Sequence, residues 1–229
     1  KVTDATINLS EQFSIKNLTA AINKHKKSAK EYRFTLTIEK GSLFDLDLAG
    51  STISFKPEKN KTKIKSLLHT NGKLNFSQIK NITSLFNLNI DSIQNVELTA
   101  NQNTLIDFDL DKKFKVKNLS YSTKGDVSYL EIHTKEKKII KQYLPEYDSK
   151  MILKNISVNL ISSQSSNTIE LDGLIKIKDQ LDSFKIKQIY NYKSKNFDVN
   201  AFIDLTNSKV NIARLNYNKD YGKKSELSF

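Results

Sequence analysis

The chain has no cysteine and no tryptophan, and only two prolines, two arginines and six glycines among its 229 residues. Without cysteine there is no disulfide framework and no thiolate metal site. The redox compartment stays open, since the cytosol and an envelope space both allow cysteine-free chains. Pro57 and Pro145 stand alone, and no Pro/Gly-rich stretch marks a linker, so residues 1–229 read as one elongated domain. No apolar run approaches the ~20 residues of a membrane-spanning helix, and no stretch has the apolar core of a signal peptide. The chain starts at Lys1 without Met and stops inside an alternating stretch, "SELSF". It therefore reads as a fragment of a longer chain, with native sequence expected beyond Phe229.

Catalytic signatures are equally scarce. There is no G-x-S-x-G, no H-E-x-x-H and no glycine-rich phosphate loop. His25, His69 and His133 are isolated from one another and from carboxylates at ligand spacing, so each reads as a solvated or structural histidine. No catalytic residue, no metal site and no cofactor is expected, and the chain does not read as an enzyme.

Apolar residues are also few. The hydrophobic share is 38%, and six glycines add little, which leaves it below the ~45–50% of ordinary globular domains. Each element can cover one apolar face, not two. That suits antiparallel sheet with one wet side and argues against parallel sheet buried on both. The net charge of +12 comes from 37 Lys+Arg against 25 Asp+Glu, a balance that nucleic acid or an anionic membrane would attract. Arginine is the preferred bidentate reader of phosphate and base edges, and Arg33 and Arg214 are the only two, so no specific nucleic-acid partner is expected.

What the sequence has in abundance is period-two alternation. "RFTLTIEK" puts Phe34, Leu36 and Ile38 on one face, and "LFDLDLAGSTISF" does the same with Phe44, Leu46 and Leu48 before shifting phase to Ile53 and Phe55. The slip at Ala49-Gly50 predicts a bulge or tight bend. In "LIDFDLDKKFKVKNLSYS", Asp107, Asp109 and Asp111 mimic the start of a calcium loop. The positions that need glycine and a second carboxylate hold Lys112 and Asn118 instead. The same stretch alternates Phe108 and Leu110, then Phe114 and Val116, with charged residues, which predicts a half-buried strand. Paired acids such as Asp45/Asp47 and Asp107/Asp109 fall on the wet side of such strands.

Similar alternation recurs from residue 62 to the carboxyl end, joined by short turn-rich segments such as "KGD" and "NKDYGKK". Two helices are expected: residues 17–32, with Asn17 as cap and Leu18, Ala21 and Ile22 on one side, and residues 75–87, where Ile79, Ile82, Leu85 and Phe86 follow a 3.6-residue period. About thirteen strands at ~4.8 Å would make a sheet ~60 Å wide, and open sheets of more than ~10 strands usually curl or split. The fold class is mainly β, a long, twisted, mostly antiparallel sheet curled into a groove or else packed as a sandwich.

The succession "FTLTIEKGSLFDLDLAGSTISFKP", "NGKLNFSQIKNITSLFNLNIDSIQNVELTA" and "KVKNLSYSTKG" resembles the AsmA-like family of bacterial envelope proteins, with its TamB and YhdP branches. The stretch "KQYLPEYDSKMILKNISVNL" through "NTIELDGLIKI" is similar to the periplasmic part of the YhdP branch. The likeness is one of texture over residues 34–229. It implies a periplasmic β-groove in a Gram-negative envelope that conducts phospholipid between inner and outer membrane and supports outer-membrane homeostasis. It also implies an inner-membrane anchor outside this chain. Under this reading the partners are phospholipid acyl chains, with Phe44, Leu46, Leu48, Phe108, Leu110, Val158 and Leu160 as candidate groove residues. A structural or adhesive β-sandwich module with a filled core is the alternative.

Overall fold

A computed structural model describes residues 1–8, 14–26, 32–85, 93–134, 141–147 and 149–228. In chain order the elements are β1 (Val2–Asn8), β2 (Ser14–Lys26), β3 (Tyr32–Leu43), β4 (Leu46–Asp47), β5 (Thr52–Pro57), β6 (Lys61–Leu74), α1 (Phe76–Leu85), β7 (Ile93–Asp111) and β8 (Val116–Thr134). Then follow β9 (Lys150–Ser162), β10 (Ser166–Ile177), β11 (Gln180–Asn191), β12 (Phe197–Asp204), β13 (Val210–Ile212), β14 (Tyr217–Lys219) and β15 (Glu226–Ser228). Thirteen strands form one antiparallel sheet in which almost every strand pairs with its neighbours in sequence; β13 and β14 form a separate hairpin. β4 and β5 share one slot between β3 and β6. The mainly β fold expected from the alternation is therefore present. The strands do not divide into two large sheets, so the sandwich arrangement does not form.

One face of this sheet is apolar. Registers align Phe34, Phe55, Ile64 and Phe108 across β3, β5, β6 and β7. They likewise align Ala100, Val127 and Ile156 across β7, β8 and β9. Val127, Ile156 and Phe184 are buried, with Leu98, Leu130, Val158 and Leu171 packed against them. A second buried cluster, Leu18, Ala20, Ile38 and Leu48, lies on the amino-terminal strands. A single layer can bury one face in this way only by curling around it, because α1 and the β13–β14 hairpin are too small to form a second layer. The chain exposes 14986 Å², where a compact protein of 26.2 kDa would expose about 10,600 Å². Among the described residues the sheet is open, not closed: β1 pairs only with β2, and β15 only with β12.

The two edges formed by strand ends differ. One carries tight turns at 57–61, 111–116, 162–166 and 191–197. The other carries two tight turns, at 43–46 and 177–180, and the longer connections: α1, the segment 141–147 and residues 205–225. At that second edge Leu144 packs with Ile177, Leu205 and Val210. Asp182 accepts hydrogen bonds there from the Ser208 hydroxyl (2.6 Å) and the Asn207 amide (2.8 Å). The buried Lys219 ammonium donates to the carbonyls of Thr206, Asp220 and Lys223 at 3.0–3.2 Å.

Several local expectations need correction, among them the "KGD" turn: residues 124–126 run inside β8, paired with both β7 and β9. Residues 14–26 form strand β2, not the start of a helix, and residues 27–31 of the expected 17–32 helix lie outside the described residues. Leu18, Ala20 and Ile22 share the apolar side at the two-residue strand period, and the register shifts on either side of Thr19 cancel; the helix-like set Leu18, Ala21 and Ile22 is split between the two faces. Phe114 does not continue the strand alternation; it sits in the 111–116 turn with φ +58° and is 84% exposed. The second helix does form, over Phe76–Leu85, with residues 86–87 outside the described residues.

Candidate functional site: the apolar face of the curled sheet

The strands that build this face owe their parity to the sequence. In β7, Ala100, Gln102, Thr104, Ile106, Phe108 and Leu110 point to one side, and Asp107, Asp109 and Asp111 to the other. Phe108 and Leu110 are half-buried on the apolar side, opposite Ile64 and Thr62. Val158 and Leu160 occupy the same side of β9 and are also half-buried, paired with Leu171 and Ile169. Leu46 lies on short β4 opposite Gly72. Leu48 follows β4 and is buried with Leu18, Ala20 and Ile38. Phe44 departs from the alternation: it occupies the β3–β4 turn with φ +55° and is half-buried. The structure thus places Phe108, Leu110, Val158 and Leu160 on one continuous surface, Leu48 inside a packed cluster, and Phe44 at a tip.

The face is not uniformly greasy. Thr104 and Thr123 share a hydrogen bond at 3.0 Å, Gln102 lies opposite Gly125, and Thr70 reaches the Gln102 carbonyl at 3.5 Å. These groups form a polar belt between the Phe108 region and the Val127 cluster. The signal lay in the parity of "ANQNTLIDF", whose inward positions read Ala, Gln, Thr, Ile, Phe. Apolar side chains nonetheless remain open to solvent on this face: Ile22, opposite Leu36, is 59% exposed, and Val116, opposite Leu110, is 54% exposed.

The opposite face is a lattice of cross-strand ion pairs. Asp107 meets Lys65 at 3.0 Å, Asp109 meets Lys61 at 2.9 Å, and Asp111 meets Lys117 at 3.3 Å. All three acids of the candidate calcium loop are therefore occupied by lysines. Asp109 is not simply solvated, as the alternation suggested; it is buried and also accepts from Asn118 Nδ2 at 2.7 Å. Hydrogen bonds from Lys61 and then Asn118 hold its carboxyl below the usual range. Lys187–Glu170 (2.8 Å) and Lys185–Asp172 (2.9 Å) repeat the pattern on β10 and β11. Asp45 and Asp47 do not share a strand face: Asp45 is in the turn and accepts from Gln78 Nε2, while Asp47 caps the Ala49 amide at 2.9 Å.

The densest polar cluster on that face is Tyr129, Glu131, His133 and Lys150. Glu131 accepts from the Tyr129 hydroxyl, lies 2.6 Å from His133 Nε2 and 3.0 Å from Lys150 Nζ. These donors, Tyr129 first, pull its carboxyl down to about 2, and the same bond pushes the Tyr129 hydroxyl up to about 12. Every member is engaged within the cluster, so it acts as a clamp between β8 and β9. Among the described residues no group of three or more His, Cys, Asp or Glu side chains could hold a metal ion, and no helix is long and apolar enough to cross a membrane. No family model matches the chain, and no curated protein and no solved structure is significantly similar to it.

Proposed function

We infer that this chain is a segment of a lipid-contacting groove, whose curled sheet holds phospholipid acyl chains against its apolar face. The supporting observation is that face itself: apolar from β2 to β12 except for the Gln102–Thr104 belt, only partly covered, and left with Ile22 and Val116 open to water. Covering such a surface with acyl chains releases about 25 cal/mol per Å² of apolar area, whereas a soluble module without a ligand gains nothing from keeping it open. The resemblance to AsmA-like envelope proteins extends the proposal. The segment would then be periplasmic, tethered to the inner membrane by an anchor outside these residues, and would move phospholipid toward the outer membrane. It would act without catalysis or cofactor, and without specific nucleic-acid recognition.

The test combines mass spectrometry of lipid that co-purifies after mild extraction with three substitutions. Leu110→Asp and Leu160→Asp place a charge where acyl chains would lie but water still reaches, so the fold should persist while lipid retention falls. Leu48→Asp buries an unpaired charge in a packed cluster and should cost several kcal/mol, enough to unfold the chain. If wild type carries no lipid, or if Leu110→Asp unfolds as Leu48→Asp does, the face is an ordinary core and the alternative reading, a structural or adhesive module, takes its place.

A further inference from the structure

We propose that the edge of the sheet carrying the 111–116 turn docks onto an anionic phospholipid bilayer, with Phe114 entering the headgroup region and unpaired lysines of the turns engaging lipid phosphates. The inference begins with the 111–116 turn. Asp111 accepts hydrogen bonds from the amides of Lys113 (2.8 Å) and Lys115 (3.0 Å) through its side chain and from the Phe114 amide (3.0 Å) through its carbonyl. This is a tight turn followed by a left-handed residue, a position that glycine or asparagine normally fills. Here it holds Phe114, at φ +58° and 84% exposed. A bulky side chain in that conformation is strained, and burial within the protein does not offset the strain. It places a large apolar group at the outermost point of the β7–β8 hairpin.

Charge points the same way. Lys59, Lys112, Lys113, Lys115, Lys193 and Lys195 lie in the turns of this edge, all exposed, and none has a carboxylate partner among the described residues; Asp109, Glu58 and Asp111 are taken by Lys61, Lys63 and Lys117. At the opposite edge three lysines are matched, Lys178 with Glu146, Lys209 with Asp220 and Lys224 with Glu226, while Lys73 and Lys223 carry no ion pair among the described residues. The basic excess is therefore sided. Between the β5–β6 and β7–β8 turns lies a small cleft of about 170 Å³, lined by Lys59, Lys112, Phe114 and Leu110 together with the lysine-paired Glu58 and Asp111. Leu110 also belongs to the apolar face, so the cleft joins the lysine turns to that face. On the β11–β12 turn, Tyr192 and Phe197 are exposed beside Lys193 and Lys195. Exposed aromatics beside lysines suit the bilayer interface, where ammonium groups meet phosphates and rings sit at headgroup depth. Specific nucleic-acid binding fits less well, because the turns contain no arginine.

Docking does not require lipid in the groove. A chain that binds vesicles but co-purifies without lipid keeps this proposal and loses the groove. The experiment is co-sedimentation with vesicles of phosphatidylcholine alone or mixed with phosphatidylglycerol, at low and physiological salt. Wild type should bind the anionic vesicles, bind phosphatidylcholine weakly, and lose affinity as salt screens the lysines. Two triple variants lose the same charge: Lys59→Ser, Lys112→Ser and Lys113→Ser at the turn edge, and Lys178→Ser, Lys209→Ser and Lys224→Ser at the other. The first should bind at least tenfold more weakly, at about fivefold per lysine; the second should bind as wild type does. Phe114→Gly relieves the strained turn, so its urea midpoint should rise while vesicle affinity falls several-fold. Equal losses in the two triples, unchanged vesicle binding by Phe114→Gly, equal binding to neutral vesicles, or preference for a DNA duplex over vesicles would each overturn the proposal.

Discussion

Glu131 stands opposite Glu97 across β7 and β8, a like-charge pairing that by itself weakens the ladder. The Tyr129, His133 and Lys150 donors reverse that balance and set how the fold responds to pH. A carboxyl whose pKa falls from 4.5 to about 2 on folding stabilises the native state above its unfolded pKa, and that contribution disappears as pH drops from about 4.5 toward about 2. Tyr129 is the mirror case. Its raised pKa favours the neutral hydroxyl, so its contribution holds below pH 10 and is lost as pH climbs toward 12. Urea midpoints measured across pH should therefore fall at both extremes. Glu131→Gln should flatten the acid limb, and Tyr129→Phe the alkaline one. Asp109 and Asp107 make a second contrast. Asp107 is half exposed and meets Lys65 alone, whereas Asp109 is buried between Lys61 and Asn118. Asp109→Ser should lower the urea midpoint clearly while Asp107→Ser barely moves it, an inequality that alternation alone did not reveal.

At the scale of elements, α1 begins with a reciprocal cap. The Asn75 amide donates to Gln78 Oε1 at 2.8 Å, and the Gln78 amide donates to Asn75 Oδ1 at 3.1 Å. Asn75→Ala should cost about 1 kcal/mol in a urea titration. Where strands approach closely, glycine is required: a Cβ at Gly125 would lie 2.3 Å from the Asn101 carbonyl oxygen, and one at Gly72 would lie 2.2 Å from that of Asp45. Gly125→Ala should force β7 and β8 apart and raise amide exchange on both strands. These elements also mark what could be read from the sequence. β7 was legible because Phe108 and Leu110 alternate with three acids, and α1 because its apolar period is 3.6. β2 was not, because its paired alanines let two patterns coexist: Leu18, Ala20 and Ile22 at the strand period and Leu18, Ala21 and Ile22 at helix-like spacing. Phe114 was misplaced because hydrophobicity pointed inward while Asp111 had already closed a turn. Of the candidate groove, the parity of Leu110, Val158 and Leu160 was legible. The polar belt and the burial of Leu48 depend on neighbours distant in sequence.

For the whole molecule, a path of twelve strands at ~4.8 Å spacing spans ~50 Å before curling. The excess of exposed surface has the same origin. A compact chain of 229 residues would have a radius of gyration near 17 Å. Small-angle X-ray scattering should give a clearly larger value, and one close to 17 Å would mean that the sheet closes on itself in solution. The sidedness of charge operates at this scale too. Six unpaired lysines along one edge of a chain of net charge +12 give the molecule an electrostatic orientation that salt should weaken.

Because each strand pairs almost entirely with those beside it in sequence, the molecule should come apart progressively. Adjacent hairpins stabilise one another, and among the described residues no strand pairing ties β1 to β15, so loosening should start at the two ends and travel inward, as in repeat arrays. β7 and β8, which share the longest register, should hold out last. Graded chemical denaturation followed by hydrogen exchange should then show staggered loss of protection from strand to strand. The same additivity lets a hairpin be gained or lost at either end without dismantling the remainder.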